Sequence, residues 1–221
     1  MALTMTAAML QASVVFAQQV EPPKSRFEVG IGVLWIGQEP LGAKTANETT
    51  GGGGALALFN TSSELSSAAG IAARVGVRLS RSLVAEADAS YLKPQLRIAI
   101  SGDTEGAAAL TAAETVQQFT VGGNVLWYLP HVSRSRRVAP FALAGGGYLR
   151  QLHDQAILVE TGRFYQFGAG ATYLLVSGRH FHTKGAGVRA DARAVVRAKG
   201  VALDGGTRTS PAFGASAFVR F

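Results

Sequence analysis

Side chains able to do covalent or metal chemistry are few in this 221-residue chain and poorly spaced for it. There is no cysteine, which removes disulfides, thiolate metal sites and a cysteine nucleophile. His180 and His182 form an H-x-H pair beside Lys184. Catalytic zinc takes three protein ligands, and the neighbouring sequence offers no third, so no metal site is expected. Ser101, Glu105, His153 and Asp154 are residue types used in acyl transfer, but they form no recognisable motif, and a triad is defined by geometry rather than by chain position. The glycines at Gly51 to Gly54 and Gly145 to Gly147 precede no helix that could cap a phosphate. The sequence therefore predicts no catalytic residues, no cofactor and no metal.

One set of charges does follow a rule. Glu28, Arg74, Arg78, Glu86, Asp88, Arg189, Asp191, Arg193, Arg197 and Arg220 each alternate with small or apolar neighbours. Period two is the signature of a strand with two unlike faces. The apolar parity runs through eight segments: Phe27 to Trp35, Ile71 to Leu79, Leu83 to Tyr91, Phe119 to Trp127, Phe141 to Leu149, Tyr165 to Tyr173, Val188 to Val196 and Phe213 to Phe221. Each is about ten residues, the length of a tilted strand that crosses a bilayer.

Two further patterns separate a membrane barrel from a soluble sandwich. Aromatic residues on the apolar parity gather at strand ends: Phe27, Trp127, Phe141, Tyr173 and Phe221 at one rim, Trp35, Tyr91, Tyr165 and Phe213 at the other. Aliphatic and small residues fill the middles, as in a lipid-facing band between two aromatic girdles. The connections also alternate in length. Trp35 to Ile71 is long, Ser80-Arg81-Ser82 is short and Leu92 to Thr115 is long again, which places both termini on the short-turn, periplasmic side. The predicted fold is all-β, an eight-stranded antiparallel transmembrane barrel with apolar residues toward lipid and the alternating charges inside. Eight strands leave a bore just wide enough for side chains, so those charges should form a plugging network. Glu86 and Asp88 are expected to face Arg74 and Arg78 on the adjacent strand, and Glu28 to lie near Arg220. Asn124 shares the inward parity and should tolerate a polar residue of similar size.

Composition agrees: 48% hydrophobic residues, 16% charged and a net charge of +7. That charge suits anionic headgroups. Arg81, Arg134, Arg136, Arg137, Arg179 and Lys184 collect on the short-turn side, while no aromatic-interleaved basic stripe points to nucleic acid. Residues 1–17 are uncharged and end in Val15-Phe16-Ala17, which reads as a cleaved signal peptide. Residues 18–26 then form a short periplasmic segment, and residues 27–221 form the barrel.

The closing strand GASAFVRF, with Phe213, Val219 and Phe221 on one parity, resembles the end of small outer-membrane barrels of the OmpA and OmpX type. The stretches Ala139 to Arg150 (APFALAGGGYLR) and Gly187 to Arg197 (GVRADARAVVR) resemble strands five and seven of that family. The resemblance implies that Phe213, Val219 and Phe221 are an assembly signal read by the barrel-assembly machinery. It also implies that the partners are outer-membrane lipids and lipopolysaccharide, and that the barrel is a monomer. The chain stops at the eighth strand, so the peptidoglycan-binding domain of OmpA-like proteins is not expected. The function expected is a structural or surface-interaction role in the cell envelope. Three alternatives stand beside it: a narrow porin-like channel for small solutes, a secreted soluble barrel binding an apolar ligand, and a lipid-modifying barrel enzyme.

Overall fold

A computed structural model of the chain describes residues 26–49, 51, 53–102, 108–129, 137–153, 159–180, 183–198 and 206–221. The expected signal segment, Glu105, Asp154, Arg134, Arg136 and His182 lie outside those residues, as does all but the last residue of the expected 18–26 segment. Twelve strands follow in order: β1 (Phe27–Ile36), β2 (Glu39–Thr49), β3 (Ala55–Leu65), β4 (Ala68–Arg78), β5 (Leu83–Leu92), β6 (Gln95–Ser101), β7 (Leu110–Thr115), β8 (Gln117–Tyr128), β9 (Val138–Leu152), β10 (Val159–His180), β11 (Thr183–Ala198) and β12 (Arg208–Arg220).

Eight of them close into an antiparallel barrel in the order β1-β12-β11-β10-β9-β8-β5-β4. All eight segments picked out by alternation are strands of this wall. Closure is made by β1 against β12, where Glu28 partners Arg220 and Trp35 partners Phe213. Stepping from partner to partner around the wall, from Phe27 through Val77, Ala85, Val125, Ala144, Phe167, Ala194 and Pro211, the path closes on Gly37, ten residues along the strand where it began. That stagger tilts the strands by roughly 35–45°, as a closed barrel of this size requires.

The outer face is apolar. Ile31, Val33 and Val121 are 66%, 60% and 63% exposed, which water would penalise and lipid does not. Trp35, Phe213, Tyr91, Phe119, Tyr148 and Tyr165 ring the upper edge, and Phe27, Trp127, Tyr173 and Phe221 the lower. Phe141 departs from the expectation: it is 1% exposed and points into the lumen, not into the lower girdle. In β9 the inward parity carries Phe141, Leu143, Leu149 and Gln151, while Ala144, Tyr148 and Arg150 face out.

Room for that ring comes from the facing strand. Phe141 partners Gly170, where an added Cβ would lie 2.6 Å from the ring. Phe218 likewise lies over its partner Gly187, and the Phe164 ring over Gly122 of β8. Three inward phenylalanines thus lie over glycines of other strands, which lets a narrow barrel take aromatic rings inside.

The two long connections are not irregular loops. β2, β3, β6 and β7 form a second sheet in that order, standing above the barrel on its upper rim. Its foot is sealed by Leu41, Leu65, Leu96 and Val116, all buried, with Ile98 packed against them. Higher on the same face Phe59, Ile100 and Leu110 are exposed. The opposite face is polar, with Glu64 beside Arg97 and Thr45 hydrogen-bonded to Asn60. At the lower end, β10 and β11 continue as a hairpin to His180 and Thr183, with register shifts after Leu174 and Ser177.

Val125 lies near mid-height on the outer face and is half exposed. Replacing it with Arg should lower folding stability by about 2–4 kcal/mol, read as a shift in the urea midpoint of equilibrium refolding into lipid vesicles.

Candidate functional site

The lumen is organised in layers. Its lower part holds Val84, Leu126, Tyr128, Phe141 and Leu143 as one apolar cluster. Its upper part holds Leu34, Ile36, Leu92, Leu149, Phe164, Val195 and Ala212 as another, with Ala68 and Ala72 against it. Between them lies a charged layer containing Glu86, Asp88 and Asp191 with Arg74, Arg189 and Arg193.

These charges pair across the bore. Arg189 on β11 donates from Nη1 to Glu86 on β5 at 2.6 Å, and from Nε to Asp191 at 3.1 Å. β5 and β11 stand opposite each other in the closed order. Arg193 Nε also reaches Asp191, and Arg74 lies 3.8 Å from it. The expected pairing of Glu86 and Asp88 with Arg74 and Arg78 along neighbouring strands is not what forms. Arg74 is the register partner of Asp88, yet its guanidinium turns toward Asp191. Arg78 lies over the Tyr128 ring at 5.2 Å and donates to the Arg81 carbonyl. A ring spanned by eight strands is narrow enough for long side chains to meet across it, and the carboxylate within ion-pair range of Arg74 is Asp191 on the far wall.

Asp88 is held by amides instead. Asn124 donates to Asp88 at 2.6 Å and to Glu86 at 3.4 Å. Gln166 donates to Asn124 at 2.7 Å and accepts from Arg193 at 3.1 Å. Asn124 and Gln166 thus link both halves of the charged layer, which makes Asn124 far less replaceable than its parity alone suggests. Gln166 gave no sequence signal, being one polar residue on an inward parity shared with glycines. Arg189 also stacks over Phe141, 4.5 Å from its centroid.

At the lower mouth Arg220 Nε donates to Glu28 at 2.8 Å, and its guanidinium lies over Phe218. Arg197 sits above the upper apolar cluster and pairs at 2.8 Å with Glu39, at the root of the protruding sheet. Arg208 donates to the Leu41 carbonyl beside it. Burial raises the Glu39 carboxyl above its ordinary range, against the opposing pull of Arg197 and Arg208. Gln151 donates to Gln118 at 3.2 Å, and His153 lies 3.2 Å from Glu114. Glu39, Gln118 and Gln151 therefore join Arg197 in a collar where barrel and sheet meet. Glu39 was hidden from sequence reading because it begins a strand that the sequence shows as a loop.

Two cavities lie within the layers, each about 20 Å³. Asp88 and Arg193 line both. Such a space holds about one water molecule and is far below the several hundred Å³ of a ligand pocket. Among the described residues no group of three His, Asp or Glu side chains is placed to hold a metal ion. Phe221 and Phe213 end the lipid-facing parity of β12. The Phe221 amide donates to the Phe27 carbonyl at 2.9 Å, and its own carbonyl accepts from Arg26 at 3.1 Å.

A closed antiparallel wall with an apolar exterior, two aromatic rims and a charged, plugged interior defines an eight-stranded transmembrane barrel of the outer-membrane type. Solved structures with the same architecture include the outer membrane protein OprG from Pseudomonas aeruginosa (TM-score 0.50, 9% identity, covering 89% of this chain and 95% of that one). Also similar are the neisserial surface protein NspA (0.49, 14%, 88% and 95%) and Ail, the attachment invasion locus protein of Yersinia pestis (0.39, 12%, 89% and 99%). At these identities the likeness is one of fold. No family model and no curated protein sequence matches the chain.

Removing one member of the ionic layer should cost much more than removing a pair. Arg189→Met leaves Glu86 and Asp191 facing each other in a closed bore and should destabilise the barrel by about 3–5 kcal/mol. Arg189→Met with Glu86→Met should recover most of that loss, measured as a double-mutant cycle of urea midpoints in vesicles.

Proposed function

We propose that this chain is a non-catalytic outer-membrane barrel with both termini in the periplasm. Its sealed lumen serves as a rigid mount, and its work is done by the sheet it carries outside the cell. The carrying observation is the layered lumen, with a charge-balanced centre between two apolar clusters and cavities of about 20 Å³. The orientation follows the rule that outer-membrane barrels keep short turns in the periplasm and long connections outside. Here the protruding sheet lies at the end of the barrel opposite Phe27 and Phe221. Among the described residues the filled lumen shows only cavities of about 20 Å³, too small for the ligand of a soluble apolar-ligand carrier, and an exposed apolar belt opposes solubility. A channel for small solutes is the second reading, because the central layer is polar and holds one small cavity, while the second reaches from Asp88 and Arg193 into the upper apolar cluster.

Planar-bilayer recording separates the two. The wild type should show little or no steady current. Glu86→Ala with Asp88→Ala should still conduct poorly, because Leu149 and Phe164 keep the upper apolar cluster closed. Adding Leu149→Ala and Phe164→Ala should open the path. Large stable openings in the wild type would establish the channel reading instead.

Phe213, Val219 and Phe221 are proposed as the signal read by the assembly machinery. This is supported by Phe221 lying half exposed at the seam that β1 and β12 close. Phe221→Asp should still refold in detergent with heat-modifiable mobility, yet accumulate in cells as protease-sensitive periplasmic chain. Wild-type amounts in the outer membrane would remove that role.

A further inference from the structure

Three cations stand on the outside of the barrel wall with no carboxylate among the described residues to answer them. Lys93 follows β5, Arg150 lies on β9 and Arg163 on β10, and all three are exposed. None forms an ion pair with another described residue. Lys93 Nζ lies over the Tyr91 ring at 5.7 Å.

Register brings them together. Arg150 partners Phe119 on one side and Thr161 on the other, while Arg163 partners Tyr148, two residues below Arg150. The two guanidinium side chains are therefore diagonal neighbours on one face. Phe119 in turn partners Tyr91 and stacks on it at 4.7 Å, and Lys93 is two residues above Tyr91. A stagger of ten residues over eight strands raises each successive strand by about one and a quarter residues. Lys93, Arg150 and Arg163 consequently fall at one height, immediately above Tyr91, Phe119, Tyr148 and Tyr165. At that height the other half of the wall presents Ser67, Ala198 and Thr209. The charge is thus confined to the half formed by β5, β8, β9 and β10.

Aromatic side chains mark the boundary between acyl chains and headgroups, so cations just above them lie in the headgroup layer. Two guanidinium forks and an ammonium, side by side and without an ion-pair partner among the described residues, match phosphate oxygens in charge and geometry. We propose that Lys93, Arg150 and Arg163 form a one-sided docking site for the phosphorylated headgroup of the outer-leaflet glycolipid, lipopolysaccharide. Tyr91, Phe119, Tyr148 and Tyr165 pack beneath it against the glycolipid's first carbons. The assignment rests on the proposed function only in placing this rim in the outer leaflet.

The test is binding of lipopolysaccharide, and of the same material after removal of its phosphates, to the full chain in detergent micelles. Wild type is compared with the variant K93Q/R150Q/R163Q and with K44Q/R97Q, whose cations lie on the protruding sheet. Heat-modifiable mobility confirms that each variant is folded. Each interfacial cation contributes about 1 kcal/mol, so the triple variant should bind roughly 100-fold more weakly. Wild type should lose a similar factor for dephosphorylated lipid, and K44Q/R97Q should bind like wild type. Binding by the triple variant within about twofold of wild type, or equal binding of the two lipid forms, overturns the site. Micelles present lipid from every side, so such a failure leaves the orientation of the barrel standing.

Discussion

In lipid no water is present to satisfy a backbone amide or carbonyl, so a membrane sheet has to close on itself. For this chain closure means that β12 reaches β1 over a register of nine partners, from Glu28 with Arg220 to Ile36 with Ala212. With eight strands and a stagger of ten, the bore is fixed before any side chain is chosen. Each inward residue must then fit a space about as wide as two side chains, and every charge among them must find an opposite charge or an amide. The glycines under Phe141, Phe164 and Phe218, the pairing of Arg189 across to Glu86, and the Asn124–Gln166 bridge all answer that single demand.

The same demand explains the layering. Leucines, valines and phenylalanines at the two ends of the lumen exclude water from the middle, where the low effective dielectric strengthens each ion pair but makes an unpaired charge expensive. The collar of Arg197 and Glu39 carries the pattern one step beyond the membrane. It ties the protruding sheet to β11, and the neighbouring Arg208–Leu41 bond ties it to β12. The sheet is thereby anchored to strands that are not its own continuations.

Much of this was legible in the sequence. Alternation located all eight wall strands, because a lipid-facing belt and a polar interior give opposite parities that stay in phase along a whole strand. It failed where both parities were apolar: in Pro140-Phe141-Ala142-Leu143-Ala144 either face can be outward, and the choice was made by Gly170 on another strand. The protruding strands were invisible for a different reason. Stretches such as Glu39–Thr49 are mostly polar or small residues with Leu41 the one large apolar side chain, bury one face only at the foot, and so lack a sustained period of two. The partners of the lumen charges were illegible because they depend on the stagger. Neighbouring strands suggested Asp88 for Arg74, whereas the closed ring offered Asp191.

The central layer holds Glu86, Asp88 and Asp191 against Arg74, Arg189 and Arg193, three negative charges and three positive. A transmembrane voltage acts on net charge, doing about 2.3 kcal/mol of work per elementary charge per 100 mV when that charge crosses the whole field. On a neutral cluster bound into one unit the opposing forces cancel. The central layer, taken as one unit, therefore feels no net force from an electrical potential across the membrane.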